Sequence, residues 1–353
     1  MIKMKIVLLL LLMPIINIKY AYSEPDSAVI AEAMKEGKLV WYSSAVKDAC
    51  WRILYEFEET YPFIETTLFQ GGSNKIQDKF EEEIKSGNIE ADVIHVSLPT
   101  AFHRWRDGGN LAEYHSKEYA AFPPQYKDDG WWASARNITV CIAYNSQTLP
   151  SDKAPKTWSD LLDEKWDGKL IVGNPLLYGT RQVQYYALRT EFGKEFWHRI
   201  SELAQRVEKP RELKEFFLDP KSQVSVTYLG YFYDRYSIKL GEPVRAVWPK
   251  DGVPLVQSPV AIAKNSPHPN AAKLFLDFIL SREGQALFQV LAGDYSVRDD
   301  VPPMPGKLPF DELNIIPIDW DDFEYRKQEY LMEFQELFDK QLQKNLLEET
   351  EGK

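Results

Sequence analysis

Short apolar runs alternate with amphipathic stretches along the first third of the chain. Lys38–Ser43 (KLVWYS) is an apolar run suited to a buried strand, and Lys47–Thr60 places Cys50, Leu54 and Phe57 at helical spacing. Residues 63–69 are rich in β-formers. Gly71-Gly72-Ser73 breaks that run, and 75–86 returns to helical spacing. Residues 92–96 (DVIHV) predict a third buried strand, with Ser97-Leu98-Pro99 leading into a helix through Trp105. Strands separated by helices imply parallel pairing through right-handed crossovers, the α/β class with open, doubly wound sheets.

A longer β-type segment, 136–144 (RNITVCIAY), precedes a second alternating series. It predicts a short helix over 155–166, a strand at 169–172, helices over 181–189 and 193–204, and a strand at 223–226. A helix over 231–239 and strands at 243–247 and 259–263 follow. Residues 270–280 put Ala271, Leu274, Phe275 and Phe278 on one helical face. Four prolines between 302 and 309 mark an irregular segment. A final helix over 321–347 carries Phe323, Leu331, Phe334, Phe338 and Leu342 as its stripe. Two such series around one long strand suggest two lobes joined by crossing strands. A ligand would sit between them, at strand carboxyl ends and helix amino ends.

The first residues change the address of the molecule. Lys3 and Lys5 precede an apolar run over 6–16, and Ala21-Tyr22-Ser23 forms a small-x-small site before Glu24. That is the layout of a secretory signal peptide. The run is too short for a bilayer span and Pro14 interrupts it. No cysteine stands at the cleavage point, so the expectation is an exported, soluble protein without a lipid anchor. About 330 residues would remain, enough for two cores.

Hydrophobic content of 44% and aromatic content of 13% fit a packed globular protein. Without the three lysines of the leader, 39 of the 42 basic residues face 53 acidic ones, a net charge of −14. Such a surface argues against nucleic acid or an anionic membrane as partner, though not against a local basic pocket. Only Cys50 and Cys141 are present, one in a predicted helix and one in a predicted strand, which favours two buried free thiols. The five histidines show no metal-ligand spacing. His95, inside an apolar strand, reads as a hydrogen-bonded core residue, and His268, between two prolines, as exposed. Trp131-Trp132 reads as core. No Gly-x-Ser-x-Gly elbow, Walker loop or His-Glu-x-x-His occurs, which counts against an enzyme.

Several segments together resemble one family: EGKLVWYSS (36–44), ADVIHVS (91–97), CIAYNS (141–146), PKTWSDLLDEKWDGKL (155–170), GEPVRAVWPKDGVP (241–254) and IPIDW (316–320). PVAIAKNSPHPNAAKLFLDFILSREGQALF (259–288) is the most specific. They resemble the periplasmic solute-binding proteins of ABC importers (extracellular solute-binding family 1), in the branch that holds ferric-iron binders and some phosphonate and sugar-phosphate binders. The resemblance implies the type II periplasmic-binding-protein fold, two hinge-linked doubly wound lobes with a ligand cleft between them. Lobe 1 would span 24–140 with part of 258–320 returning to it, lobe 2 141–257, and a C-terminal helix 321–353. It further implies a periplasmic monomer that closes over its solute and delivers it to an ABC permease in the inner membrane.

For the site, Tyr42-Ser43-Ser44 follows the first strand, Gly72-Ser73 and Ser97 precede helices, and Gly179-Thr180-Arg181 opens another. Free backbone N–H groups at such helix starts can bind an anion, and Arg181 is a better partner for it than Arg136. In the ferric binders tyrosines from comparable places ligate the metal beside a synergistic anion, and Fe³⁺ suits phenolate oxygen. By that resemblance Tyr42, Tyr144, Tyr231 and Tyr233 are the metal-ligand candidates. The sequence departs from the iron pattern twice. The adjacent tyrosine pair is here Tyr231-Phe232 with Tyr233 a step further, and Ala45-Val46 stand where many members carry a histidine. Ferric iron, or iron with an anion, is the first expectation. An oxyanion, phosphonate or phosphorylated organic solute is the alternative, and a sensor subunit or an enzyme stands behind both.

Overall fold

The computed structural model describes residues 26–177, 179–208, 224–230, 240–305 and 307–351. The leader and the segment with Tyr231 and Tyr233 lie outside the described residues. In chain order the helices are α1 (Ser27–Glu36), α2 (Lys47–Thr60), α3 (Ser73–Ser86), α4 (Pro99–Asp107), α5 (Gly179–Leu203), α6 (Pro269–Leu280), α7 (Arg282–Ala292) and α8 (Trp320–Glu351). The strands are β1 (Lys38–Ser43), β2 (Glu65–Gln70), β3 (Val93–His95), β4 (Lys127–Asp128), β5 (Trp132–Asn145) and β6 (Leu170–Gly173). They continue with β7 (Ala204–Val207), β8 (Val224–Leu229), β9 (Val244–Val247), β10 (Val253–Ile262) and β11 (Ile315–Ile316).

The strands run in the order β2-β1-β3-β10-β5-β8-β6-β7. β1 is parallel to β2 and β3, and β6 is parallel to β7 and β8, as the alternating pattern predicts. Antiparallel pairing enters through β5 and β10. β10 pairs with β3 at one end and with β5 at the other, while the second half of β5 pairs with β8 and β9. These two buried strands therefore cross between the lobes, and β10 carries a bulge at Ser258/Pro259. The sheet is mixed because crossing twice reverses the chain direction.

Each lobe has its own core. Trp41, Phe57, Phe275 and Phe288 centre one on α2, α6 and α7, and Tyr42, Phe80, Phe102 and Trp105 fill the opposite face of that sheet. The second lobe packs Trp158, Tyr185, Trp197, Phe334 and Phe338 between the sheet, α5 and α8. Phe323, Phe334 and Phe338 of α8 are buried as its stripe predicts, and Cys50 and Cys141 are buried and not joined in a disulfide. α5 is interrupted at Gly193, whose φ of 82° only glycine adopts cheaply, so the two predicted helices run nearly end to end. The helix predicted over 155–166 is two 3₁₀ turns instead, Ser159–Leu162 and Glu164–Trp166. The Asp160 carboxylate accepts the N–H groups of Lys156 and Thr157, and Asp163 that of Lys165, closing each turn locally.

Candidate functional site

Parallel pairing puts the carboxyl ends of β1, β2 and β3 on one side of the first lobe. From there the chain turns straight into α2, α3 and α4. These three helices begin without a side-chain cap: the positions before them, Val46, Gly72 and Leu98, supply none. Elsewhere caps are present. Asp26 caps α1, Ser281 caps α7, and the Glu36 carboxylate accepts the Asn270 and Ala271 N–H groups at the start of α6. Across the cleft, β6 ends at Gly173 and the chain leads into α5 at Gly179. A Cβ on Gly179 would stand 3.3 Å from Leu98 Cδ2 and 3.9 Å from Asn74 Oδ1, so α5 starts against the entries of α3 and α4.

Polar side chains line this junction. Ser73 Oγ accepts the Ser97 N–H at 3.2 Å, holding the entry of α4 to the first turn of α3. Ser44 Oγ is buried with no hydrogen-bond partner among the described residues. Thr180 is half-buried, and the buried Arg181 lays its guanidinium against the Gly173 backbone, where any side chain on the glycine would displace it. Gln184, one turn further along α5, is 1% exposed, and neither its amide nitrogen nor its oxygen finds a partner among the described residues. Gln184, Asn74 and Gly173 are absent from the sequence reading. The spacing of Gln184 from Arg181 is a legible signal once α5 is known to start at the cleft, whereas nothing local marks Gly173.

Beneath the first-lobe wall runs a buried hydrogen-bonded chain. Cys50 Sγ donates to Ser43 Oγ at 3.3 Å, and Ser43 Oγ lies 3.0 Å from His95 Nδ1. His95 Nε2 lies 2.9 Å from Ser258 Oγ, which is 2.9 Å from Ser97 Oγ. Burial, reinforced by the charge of Arg136, holds the His95 pKa well below its ordinary value and keeps the ring neutral. Burial likewise pushes the Cys50 thiol up to about 11, so it stays protonated.

The two candidate tyrosines among the described residues, Tyr42 and Tyr144, are core residues. Tyr42 packs against Phe69 in the core, and its hydroxyl donates to Glu83 at 2.6 Å. Glu83 is ten residues into α3, about 15 Å along the axis from its amino end. Burial, and then the bond to Glu83, raises the phenol pKa of Tyr42, the opposite of what a phenolate ligand needs. Tyr144 is buried in the core of the second lobe. Arg136 is buried and ion-paired with Asp294. His95 and Trp132 are core residues, as the sequence suggests. His268 is not exposed: its Nδ1 meets the fully buried Asp92 at 2.8 Å. Among the described residues no three His, Cys, Asp or Glu side chains converge to hold a metal.

Two lobes joined by two crossing strands, with opposed helix starts between them, define the type II periplasmic-binding-protein fold. Iron-bound HitA from Pseudomonas aeruginosa shares it with a TM-score of 0.73 at 20% identity, covering 85% of this chain and 99% of that one. AfuA from Actinobacillus pleuropneumoniae with fructose-6-phosphate bound shares it with a TM-score of 0.67 at 23% identity, covering 86% and 97%. The sequence pattern of the bacterial extracellular solute-binding proteins matches residues 90–325, and the chain belongs to that family. A probable ABC transporter periplasmic-binding protein, y4fP of Sinorhizobium fredii, is 23% identical over 270 residues, covering 73% of this chain and 75% of the relative. A Haemophilus influenzae protein of uncharacterised role is 26% identical over 281 residues, covering 74% and 78%. The chain is thus the substrate-binding component of an ABC transporter, and its family is one of transport proteins.

Proposed function

We propose that the protein captures a small oxyanion or phosphorylated organic solute between its lobes and hands it to an inner-membrane permease, working as a freely diffusing periplasmic monomer. The observation that carries this reading is the set of uncapped starts of α2, α3 and α4, facing the start of α5 with Arg181 beside it. Orphan N–H groups and the helix dipole each favour an anion, by about 0.3–1 kcal/mol per helix and up to about 2 where water is excluded. Ser44 Oγ and the Gln184 amide, without partners among the described residues, supply neutral groups for the rest of a solute. Because the contacts come from both lobes, they are complete only on closure, and the solute stabilises the closed state by its differential affinity. Calorimetric titration with inorganic phosphate, fructose 6-phosphate and ferric citrate tests the reading. Tight binding of a phosphate compound, lost in Arg181→Ala, supports it, and binding of ferric citrate alone overturns it.

Iron with a synergistic anion is the second reading, and one observation favours it. β8 is parallel to β6, so it ends at Leu229 on the same side as Gly173, and Tyr231 and Tyr233 are the second and fourth residues after Leu229 in the sequence. Here iron is cargo, held by phenolate oxygen, with the anion on the helix starts. A visible charge-transfer band on loading with ferric citrate, absent in Tyr231→Phe, is the expected signature of that reading. Tyr42, tied to Glu83, is not among its ligands.

A further inference from the structure

We propose that His95 is a positioning residue that makes Ser97 a hydrogen-bond donor to an acceptor oxygen of the captured solute. The inference rests on the oxyanion reading of the cleft and follows from counting donors along the buried chain. Ser43 Oγ receives two hydrogens, from Ala45 N–H at 3.2 Å and from the Cys50 thiol at 3.3 Å. Both lone pairs being used, its own proton goes to His95 Nδ1. The neutral ring then carries its single proton on Nε2 and donates to Ser258 Oγ. Ser258 is held from behind, its N–H donating to Ser134 Oγ, and its hydroxyl proton passes to Ser97 Oγ. Ser97 therefore accepts from inside the protein and has its own proton left to give. Among the described residues its hydroxyl makes no other hydrogen bond.

The placement of Ser97 says what takes that proton. Its N–H is tied to Ser73 in the first turn of α3, and the next residue, Leu98, is the one against which Gly179 of the other lobe rests. Ser97 thus sits where the walls meet, among helix starts that favour negative charge. An oxyanion offers acceptor lone pairs there. The same chain reaches Ser97 through Ser258, beside the bulge of a crossing strand, so the donor is braced by the hinge.

The tautomer is measurable without any solute. Histidine labelled with ¹⁵N in the intact protein should show His95 protonated on Nε2 and bare on Nδ1; the opposite tautomer overturns the relay. With fructose 6-phosphate as probe, Ser97→Ala should lose about tenfold in affinity. Ser258→Ala, which alters no group offered to the solute, should lose a similar factor, and the double variant no more than either single one. Additive losses, or an unchanged affinity in Ser258→Ala, overturn the positioning role. If neither fructose 6-phosphate nor inorganic phosphate binds while the Nε2–H tautomer is present, the oxyanion reading fails and Ser97 loses its assigned role. Binding alongside an Nδ1–H tautomer refutes the relay alone.

Discussion

Arg181 and Gly173 occupy one another's space: the guanidinium lies where the first side-chain carbon of any larger residue at 173 would have to stand. Gly173 closes β6 with an ordinary backbone, so alanine is not strained there by conformation. The cost falls on the flexible end of Arg181, which can swing aside. Gly173→Ala should therefore change thermal stability by less than about 1 kcal/mol, yet weaken binding of an anionic probe by about tenfold, or 1.4 kcal/mol. Calorimetry for both quantities checks it, and an unchanged affinity would remove Arg181 from the site.

Gly179 meets Leu98 and Asn74 of the opposite wall, so bulk at this position obstructs the approach of the lobes. Gly179→Phe should hold the cleft apart. Small-angle scattering with saturating solute should show a larger radius of gyration than the wild type, and affinity should fall by at least about tenfold because contacts on one wall are lost. A wild-type radius would show that closure leaves room there.

Tyr42→Phe separates the core reading of this residue from a ligand role. Glu83 accepts from the Tyr42 hydroxyl, from Lys79 and from the backbone N–H groups of Glu90 and Ala91. Burial raises its pKa, but these donors outweigh it and the net shift is downward. A lowered folded pKa contributes stability above the unfolded pKa that is lost as pH falls through the folded one. Removing one donor should destabilise the protein by about 1.5 kcal/mol at neutral pH and move its acid unfolding to higher pH. Solute affinity should stay unchanged. Denaturant titrations across pH, with a parallel binding curve, decide the matter.

Two carboxylates of the last helix take hydrogen bonds from α5: Asp322 accepts from the Tyr186 hydroxyl at 2.8 Å, and Glu333 gathers more donors. Glu333 receives Arg189 Nε at 2.7 Å, Arg189 Nη2 at 3.1 Å and the Tyr185 hydroxyl at 2.9 Å. Glu333→Ala leaves those donors partly buried and unpaired, and should cost about 2 kcal/mol. Hydrogen exchange should rise first in α8 and the facing turns of α5, leaving the first lobe protected.

What the sequence disclosed was local. Lys38–Ser43 and Lys47–Thr60 form the predicted strand and helix with the same bounds, because an apolar run and a helical stripe each specify their element without help from elsewhere. β10 starts earlier than the 259–263 strand the sequence predicts, since the residues before 259 include Pro254, Gln257 and Ser258. The two polar ones find partners distant in sequence: Gln257 Nε2 donates to the Gln125 carbonyl and the Ser258 N–H to Ser134 Oγ. Tyr42 could not be placed from its neighbours either, as its role depends on a carboxylate 41 residues away. His268 looked exposed between prolines, but Asp92, 176 residues earlier, engages it. At the cleft the helix starts were legible as Gly72-Ser73 and Gly179-Thr180-Arg181, whereas the fit of Arg181 to Gly173 exists only after folding.

β5 and β10 lie side by side in one ladder as they pass from wall to wall. A single strand would let the walls swivel freely about it. Two strands held by rungs of backbone hydrogen bonds permit bending across the ladder but resist shear along it, because sliding by one residue would break every rung. Closure about that ladder would follow one arc and bring the same residues together each time, gauging a solute as a caliper of fixed alignment does.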